Sequence, residues 1–214
     1  QPMVIITDMI MPVMNGEQFC KEIKNLPATS HIPVILLTSQ SYEEGQLIGY
    51  GAGADVYLTK PVPKELLFQV IYNFLRTQEK IHQQILNSNN FFPDDIAINK
   101  VDEEFLNHLV KLIEENLSDP GLDYKLLCER TALSRTVLYS KVKTLTGQGV
   151  HEFIRSIRLR KSLSLLRERK LNVSQVAYEV GFNSQSYFNK CFYKQFNISP
   201  KDYGRNPSLL STEV

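Results

Sequence analysis

The sequence predicts a chain of two unlike parts: an α/β unit built on a small parallel sheet, followed by an all-α unit assembled from a repeated pair of helices. Three observations carry this reading. Short aliphatic runs at residues 3–7, 33–37 and 54–58 alternate with helical patterns. Residues 126–153 recur in altered form at 175–203. The charge divides along the same line: residues 1–76 carry a net −2, residues 77–122 a net −6 and residues 123–214 a net +9, within a total of +1. An acidic front joined to a basic back points to a polyanion, nucleic acid above all, as partner of the second part.

Several classes fall away on composition. With 214 residues, 43% hydrophobic and 22% charged, the chain has room for two modest globular domains. No apolar run approaches the ~20 residues of a membrane helix, and no basic-then-apolar segment opens the sequence. Membrane contact and secretion of this stretch are not expected, and a cytoplasmic location is. Three cysteines, Cys20, Cys128 and Cys191, without CxxC or HExxH argue against disulfide and zinc frameworks.

In the front part, the three runs MVIIT, PVILL and ADVYL read as buried parallel strands. Gly16–Asn25 is an expected helix with Phe19 and Ile23 on one face, Glu43–Tyr50 a second after Ser41, and Pro63 opens a third carrying Leu67, Val70, Ile71 and Phe74. Ligands of such sheets bind at the carboxyl ends of the strands. Those ends carry Asp8, Thr38 or Ser39, and Lys60. A carboxylate, a hydroxyl and an ammonium in one crevice suit a phosphoryl group: acceptor, hydrogen-bond donor and countercharge.

The motifs ITDMIMPVMNG around Asp8, LLTSQ around Thr38 and ADVYLTKPV around Lys60 resemble the receiver domain of bacterial response regulators over residues 1–76. The resemblance implies a flavodoxin-like fold of which strands 3 to 5 are present, so that this stretch is the C-terminal part of a receiver. It implies Asp8 as phosphoryl acceptor, Thr38 as switch hydroxyl, Tyr57 as aromatic switch, Lys60 as phosphate-binding ammonium, and a cis Lys60–Pro61 bond. Mg²⁺ is implied for the intact parent receiver. In this stretch Asp8 is the one metal-binding carboxylate, the site is incomplete, and no cofactor is expected.

Residues 77–100 read as a linker, with breaks at Asn87–Asn90 and Pro93–Asp95. The preceding helix can extend through Thr77–Leu86, where Ile81, Ile85 and Leu86 form a short seam suited to a homodimer. A solvated connector is the alternative.

From residue 101 onward the pattern is helical. Phe105, Leu109, Leu112, Ile113 and Leu117 mark an amphipathic helix stopped by Asp119-Pro120-Gly121. Each copy of the repeat then gives a short helix, a tight turn (Ala132-Leu133; Gly181-Phe182-Asn183) and a second helix opened by a serine N-cap, Ser134 or Ser184. That is a helix-turn-helix, twice. In the first copy Leu138, Val142 and Leu145 lie opposite Thr136, Tyr139, Ser140 and Lys143; in the second, Phe188 and Phe192 lie opposite Ser186, Asn189, Lys190 and Tyr193. The polar faces carry residue types that read base edges or hold phosphates; for any single one, a solvated face is the alternative. Between the copies, Val150–Lys170 is an expected long helix with Ile154 and Ile157 on one face and Leu159, Leu163 and Leu166 on another, able to join two bundles. Its Arg155, Arg158, Arg160 and Lys161 are candidate phosphate contacts.

The segments VAYEVGFNSQSYFNKCFYKQFNISPKDY and FIRSIRLRKSLSLLRER resemble the AraC/XylS activator DNA-binding domain over residues 101–207. The resemblance implies base contacts from Thr136, Tyr139 and Ser140 and from Gln185, Ser186, Asn189 and Lys190; Arg135 and Lys143 complete the candidate DNA-binding set. Cys128 and Cys191 fall where the repeat buries side chains, so both are expected in the core. The chain is thus expected to be a sequence-specific, DNA-binding transcription regulator of a phosphorelay, divided as 1–76 receiver, 77–100 linker and 101–214 DNA-binding domain. Its expected partners are double-stranded DNA and an upstream histidine kinase, which the parent protein itself can contain. A phosphotransfer enzyme and a protein-interaction module are the rival classes.

Overall fold

The structure is a computed structural model that describes residues 2–39, 53–87 and 100–210, with side chains described except at 77–87 and 209–210. The front part holds three parallel strands in the order β1 (Ile5–Asp8), β2 (Val34–Thr38) and β3 (Val56–Thr59). Their register aligns Asp8 with Leu37 and Thr38 with Thr59, so all three strands end at one level. Helix α1 (Gly16–Asn25) follows β1 and starts on a capping box, in which Asn15 accepts from the Gln18 amide and Gln18 reaches back to the Asn15 amide. Its Cys20 packs with Val34 and Leu36 beneath the sheet. The strands sit one or two residues later than the aliphatic runs, because each polar residue at a strand end still joins the ladder. The expected helix at 43–50 lies outside the described residues.

Helix α2 runs over Lys64–Asn87, continuing past residue 76 without a break. Leu67, Val70, Ile71 and Phe74 are the partly covered positions of its first turns, while Phe68 and Tyr72 are exposed. Side chains of Ile81, Ile85 and Leu86 lie outside the described set.

The back part begins with α3 (Lys100–Glu115), whose Phe105, Leu106, Leu109, Leu112 and Ile113 are buried. The first helix-turn-helix is α4 (Tyr124–Thr131) and α5 (Arg135–Thr146), and the second is α7 (Val173–Glu179) and α8 (Gln185–Phe196), with the long α6 (Val150–Glu168) between them and α9 (Pro200–Arg205) closing the fold. The turns form as expected: Ala132 adopts a left-handed conformation, and the Ser134 and Ser184 hydroxyls accept from the amides of Val137 and Tyr187. Gly181 is required in its turn. It has φ +79°, and a Cβ there would collide with the Leu117 carbonyl and the Arg158 guanidinium.

Two separate cores fill the back part, and α6 serves both. Val150, Phe153, Ile154 and Ile157 join the first with α3, α4 and α5; Leu159, Leu163 and Leu166 join the second with α7, α8 and α9. One rigid helix therefore fixes the two helix-turn-helix units relative to each other. Cys128 and Cys191 are half-buried at the margins of these cores rather than inside them, and the fully buried cysteine is Cys20.

Candidate functional site

At the carboxyl ends of the strands, the Lys60 ammonium pairs with the Asp8 carboxylate, both about two-fifths exposed. Lys60 leaves β3 through a hydrogen bond from its amide to the Thr38 carbonyl (2.7 Å), and its bond to Pro61 is cis. Donation from Lys60 holds the Asp8 carboxyl below its usual range. Thr38 is buried at the end of β2, beside the pair in the register. Tyr57 points inward against Cys20 and Leu36, half-buried, and burial pushes its phenol up. Asp8, Thr38 and Lys60 thus gather at one end of the sheet, while Tyr57, paired with Leu36, lies two residues back from the rim. Gly16 backs Asp8 so closely that a Cβ would strike the Asp8 carbonyl. The donor set here is one carboxylate already engaged by an ammonium, and no cluster of three His, Cys, Asp or Glu occurs among the described residues. Mg²⁺ seeks several hard oxygens, so these residues do not complete a site for it.

The second candidate surface lies on α5 and α8. Leu138, Val142 and Leu145 are buried on α5, and Phe188 and Phe192 on α8, which turns the opposite faces outward. Thr136, Tyr139, Gln185, Ser186 and Lys190 are exposed, whereas Ser140 and Asn189 are half-buried. Arg135 is exposed and stacks over the Tyr124 ring, 4.7 Å from its centroid. Lys143 turns its amine back onto the Gly147 carbonyl, at the C-terminal end of its own helix.

The cations of α6 separate into two kinds. Arg155 faces a cleft of about 730 Å³ shared with Lys190 and Lys194, and it donates to the Tyr187 hydroxyl at 3.3 Å. Arg158 is instead structural, donating to the carbonyls of Gly181 and Asp119 and so tying the second turn to the loop after α3. Burial lowers the basicity of both Arg158 and Arg160. For these two the expected phosphate role gives way to packing.

The sequence reading missed a cluster where the two parts meet. Lys141, on α5, is fully buried and donates to Asp102 Oδ1 (2.7 Å), to Ser30 Oγ (2.6 Å) and to the Pro27 carbonyl (2.7 Å). Its ammonium also lies 4.8 Å from the centre of the Phe105 ring. A signal was present: position 141 falls on the Leu138–Val142–Leu145 face, and the repeat aligns it with the core-margin residue Cys191. A lysine on a buried face needs a partner, but that partner is more than a hundred residues away in the case of Ser30.

Beside this cluster His31 is 1% exposed, with neither ring nitrogen hydrogen-bonded. Burial first, then the Lys141 ammonium, draws its pKa from 6.5 to about 4, with Asp102 opposing and Lys24 reinforcing. The unfolded chain therefore binds more protons than the folded one between these values, so the stabilisation is complete above pH 6.5 and is lost as pH falls toward 4. From pH 7 to pH 5 this amounts to about 2 kcal/mol. Denaturant midpoints should fall accordingly in the native chain and much less in His31→Gln; an identical pH slope in both sinks the assignment.

A carboxylate–ammonium pair at the carboxyl edge of a parallel sheet, followed by two serine-capped helix-turn-helix units on one connecting helix, defines a class by its architecture: a receiver-like unit joined to a tandem helix-turn-helix unit. Residues 1–72 match the response regulator receiver domain family and residues 127–206 match the helix-turn-helix domain family of AraC type. The chain therefore joins a receiver domain to an AraC-type helix-turn-helix domain. It is 39% identical over 202 residues to histidine kinase P4 of Formosa agariphila, covering 94% of this chain and 15% of that protein. It is 29% identical over 100 residues to the transcriptional activator RhaS of Mannheimia succiniciproducens, covering 47% of this chain and 37% of that protein. Among solved structures, it is similar to the C-terminal domain of AraT, a response regulator from Geobacillus stearothermophilus. That match has 26% identity and a TM-score of 0.43, covering 47% of this chain and 84% of that one. The chain thus spans well under two thirds of the length of the curated relatives it matches. No helix among the described residues is long and apolar enough to cross a membrane.

Proposed function

We propose that this chain is the phosphorelay-controlled, sequence-specific DNA-binding end of a transcription regulator, divided as 1–76, 77–100 and 101–214. Asp8 accepts a phosphoryl group from a phosphohistidine of an upstream kinase, the P–N bond breaking as a P–O bond to the carboxylate forms. The kinship with a long histidine kinase supports a parent in which that kinase belongs to the same polypeptide. Lys60 countercharges the incoming group, and Thr38 and Tyr57 respond to it. The chain itself acts by binding, in the cytoplasm and as a homodimer, rather than by turning over a substrate.

One observation carries the reading most directly: α6 holds two serine-capped helices whose apolar faces are buried and whose opposite faces present Thr136, Tyr139, Gln185, Ser186 and Lys190 to solvent. Two such helices on a rigid connector suit successive major grooves of a duplex. Arg135, Ser140, Lys143 and Asn189 complete the reading surface, Lys143 after releasing the Gly147 carbonyl. Selection of sites from random duplex DNA should return two elements about one helical turn apart. In titrations of the best site, Lys190→Ala should lose roughly 1–3 kcal/mol, the discrimination expected of one good base contact. Absence of any enriched sequence overturns the proposal.

A further inference from the structure

We propose that Arg155 reads the shape of the duplex between the two elements, so that the spacer of the site is selected for a narrow, A·T-rich minor groove although neither recognition helix touches it. The inference rests on the DNA-binding reading above and adds to it a determinant of specificity on the connecting helix.

The first two turns of α6 join the two reading faces. At their start, the Lys143 amine rests on the Gly147 carbonyl, and the Tyr139 ring is the nearest neighbour that a Cβ on Gly149 would meet, at 3.6 Å. From Gly149 to Arg155 the chain climbs about 9 Å along the helix. There Arg155 donates to the Tyr187 hydroxyl at 3.3 Å and lines one cleft with Lys190 and Lys194. Gln148, Glu152 and Ser156 line the same cleft, so the ground between the two recognition helices is floored by the beginning of α6, with three cations around it and Glu152 as the acid among them.

Arg155 is held differently from its neighbours on the helix. Arg158 is fixed on two backbone carbonyls, and burial lowers the basicity of Arg160. Arg155 has a tyrosine hydroxyl and, 3.9 Å away, the Glu152 carboxylate, in a pair whose side chains are 36% and 41% exposed. Such a pair has little net worth and yields to a stronger negative field. Tyr187 is braced against the buried Phe182, ring centroids 6.0 Å apart, so the guanidinium is presented from a fixed base.

When two helices occupy successive major grooves on one side of a duplex, the minor groove faces the protein midway between them. That is the stretch that α6 spans. A narrow minor groove over A·T pairs concentrates negative potential and draws arginine, whereas the G amino group occupies the groove floor. A planar, weakly hydrated guanidinium enters such a groove more readily than an ammonium. Contact with backbone phosphates alone would leave the spacer sequence without effect.

The test holds the two selected elements constant and varies the spacer at fixed length, in titrations with the whole 214-residue chain. An A·T spacer should bind about tenfold more tightly than a G·C spacer, and an inosine·cytosine spacer, which lacks the G amino group, should bind like A·T. Arg155→Ala, and Arg155→Gln with a longer neutral side chain, should each bring the A·T to G·C ratio to within about twofold while still binding both duplexes. The ratio is the readout, since a loss of stability weakens binding to both duplexes alike. Equal affinity of the unaltered chain for A·T and G·C spacers, or a ratio that survives in both variants, overturns the role of Arg155 and leaves the DNA-binding reading in place. If the unaltered chain selects no element at all, the DNA-binding reading fails and this inference falls with it.

Discussion

Phe192→Ala is expected to cost about 3–5 kcal/mol of stability and to abolish sequence-specific DNA binding by this chain. Phe192 is fully buried at the centre of the second core, tilted against Phe188 (ring centroids 5.6 Å apart) and Tyr203 (6.1 Å) and edge-on to Phe196 (4.7 Å). Truncation removes the ring that three other aromatics share, in a core whose remaining volume is filled by Leu159, Leu163, Leu166, Val176, Val180 and Phe182. Aromatic rings collapse poorly into a cavity, and edge-on contacts add to the area lost. The functional loss follows from position: α8 presents Ser186 and Lys190 outward because Phe188 and Phe192 anchor its other face. Phe192→Leu, which keeps most of the volume, should cost markedly less and retain binding. Denaturant midpoints and duplex titrations on the three proteins check this; a midpoint for Phe192→Ala within about 1 kcal/mol of the unaltered chain would refute the packing account.

The second core was legible because its pattern is local. Phe188 and Phe192 sit four residues apart, the serine cap and the glycine turn lie within seven residues before Phe188, and the first copy of the repeat supplies a second instance of the same spacing. The two faces of α6 were legible for the same reason, since Ile154 and Ile157 fall on one stripe and Leu159, Leu163 and Leu166 on another. The crevice of Asp8, Thr38 and Lys60 was read from strand ends, because parallel strands in register bring their final residues to one level. What stayed hidden depends on pairings between distant segments. Arg158 has the spacing of a surface cation, and only the distant Gly181 and Asp119 carbonyls give it its structural role; Lys143 lies on the outward face, and its amine turns to its own helix end. Periodicity says which face of a helix is covered but not what covers it, and the meeting of Ser30 with Lys141 is of that second kind.

Asp102→Ala is the other substitution with a large expected effect, up to about 3–5 kcal/mol, because it leaves the Lys141 ammonium buried against Phe105 without its carboxylate. Burial already lowers the Lys141 pKa, and the hydrogen bond that Lys141 donates to Asp102 is the first influence working against that. Two escapes are open to the variant: the lysine loses its proton, or the receiver loop leaves and water takes the place of Ser30 and Pro27. The second requires only that one surface contact open, so the loss of stability is limited by the free energy of docking rather than by the full cost of an unpaired charge. The two are separable by experiment, since release exposes Lys141 to acetylation and deprotonation with the loop still in place leaves it protected. The paired substitution Asp102→Leu with Lys141→Met removes both charges at similar volume and should return to within about 1 kcal/mol of the unaltered chain, as replacements of buried ion pairs by apolar side chains commonly do. A single Asp102→Ala costing under about 1 kcal/mol with Lys141 still protected contradicts the role given to this pair. The combination expected is a destabilised single variant with an acetylated Lys141 and a double variant restored in stability, because the apolar pair fills the same buried space with no charge left to satisfy.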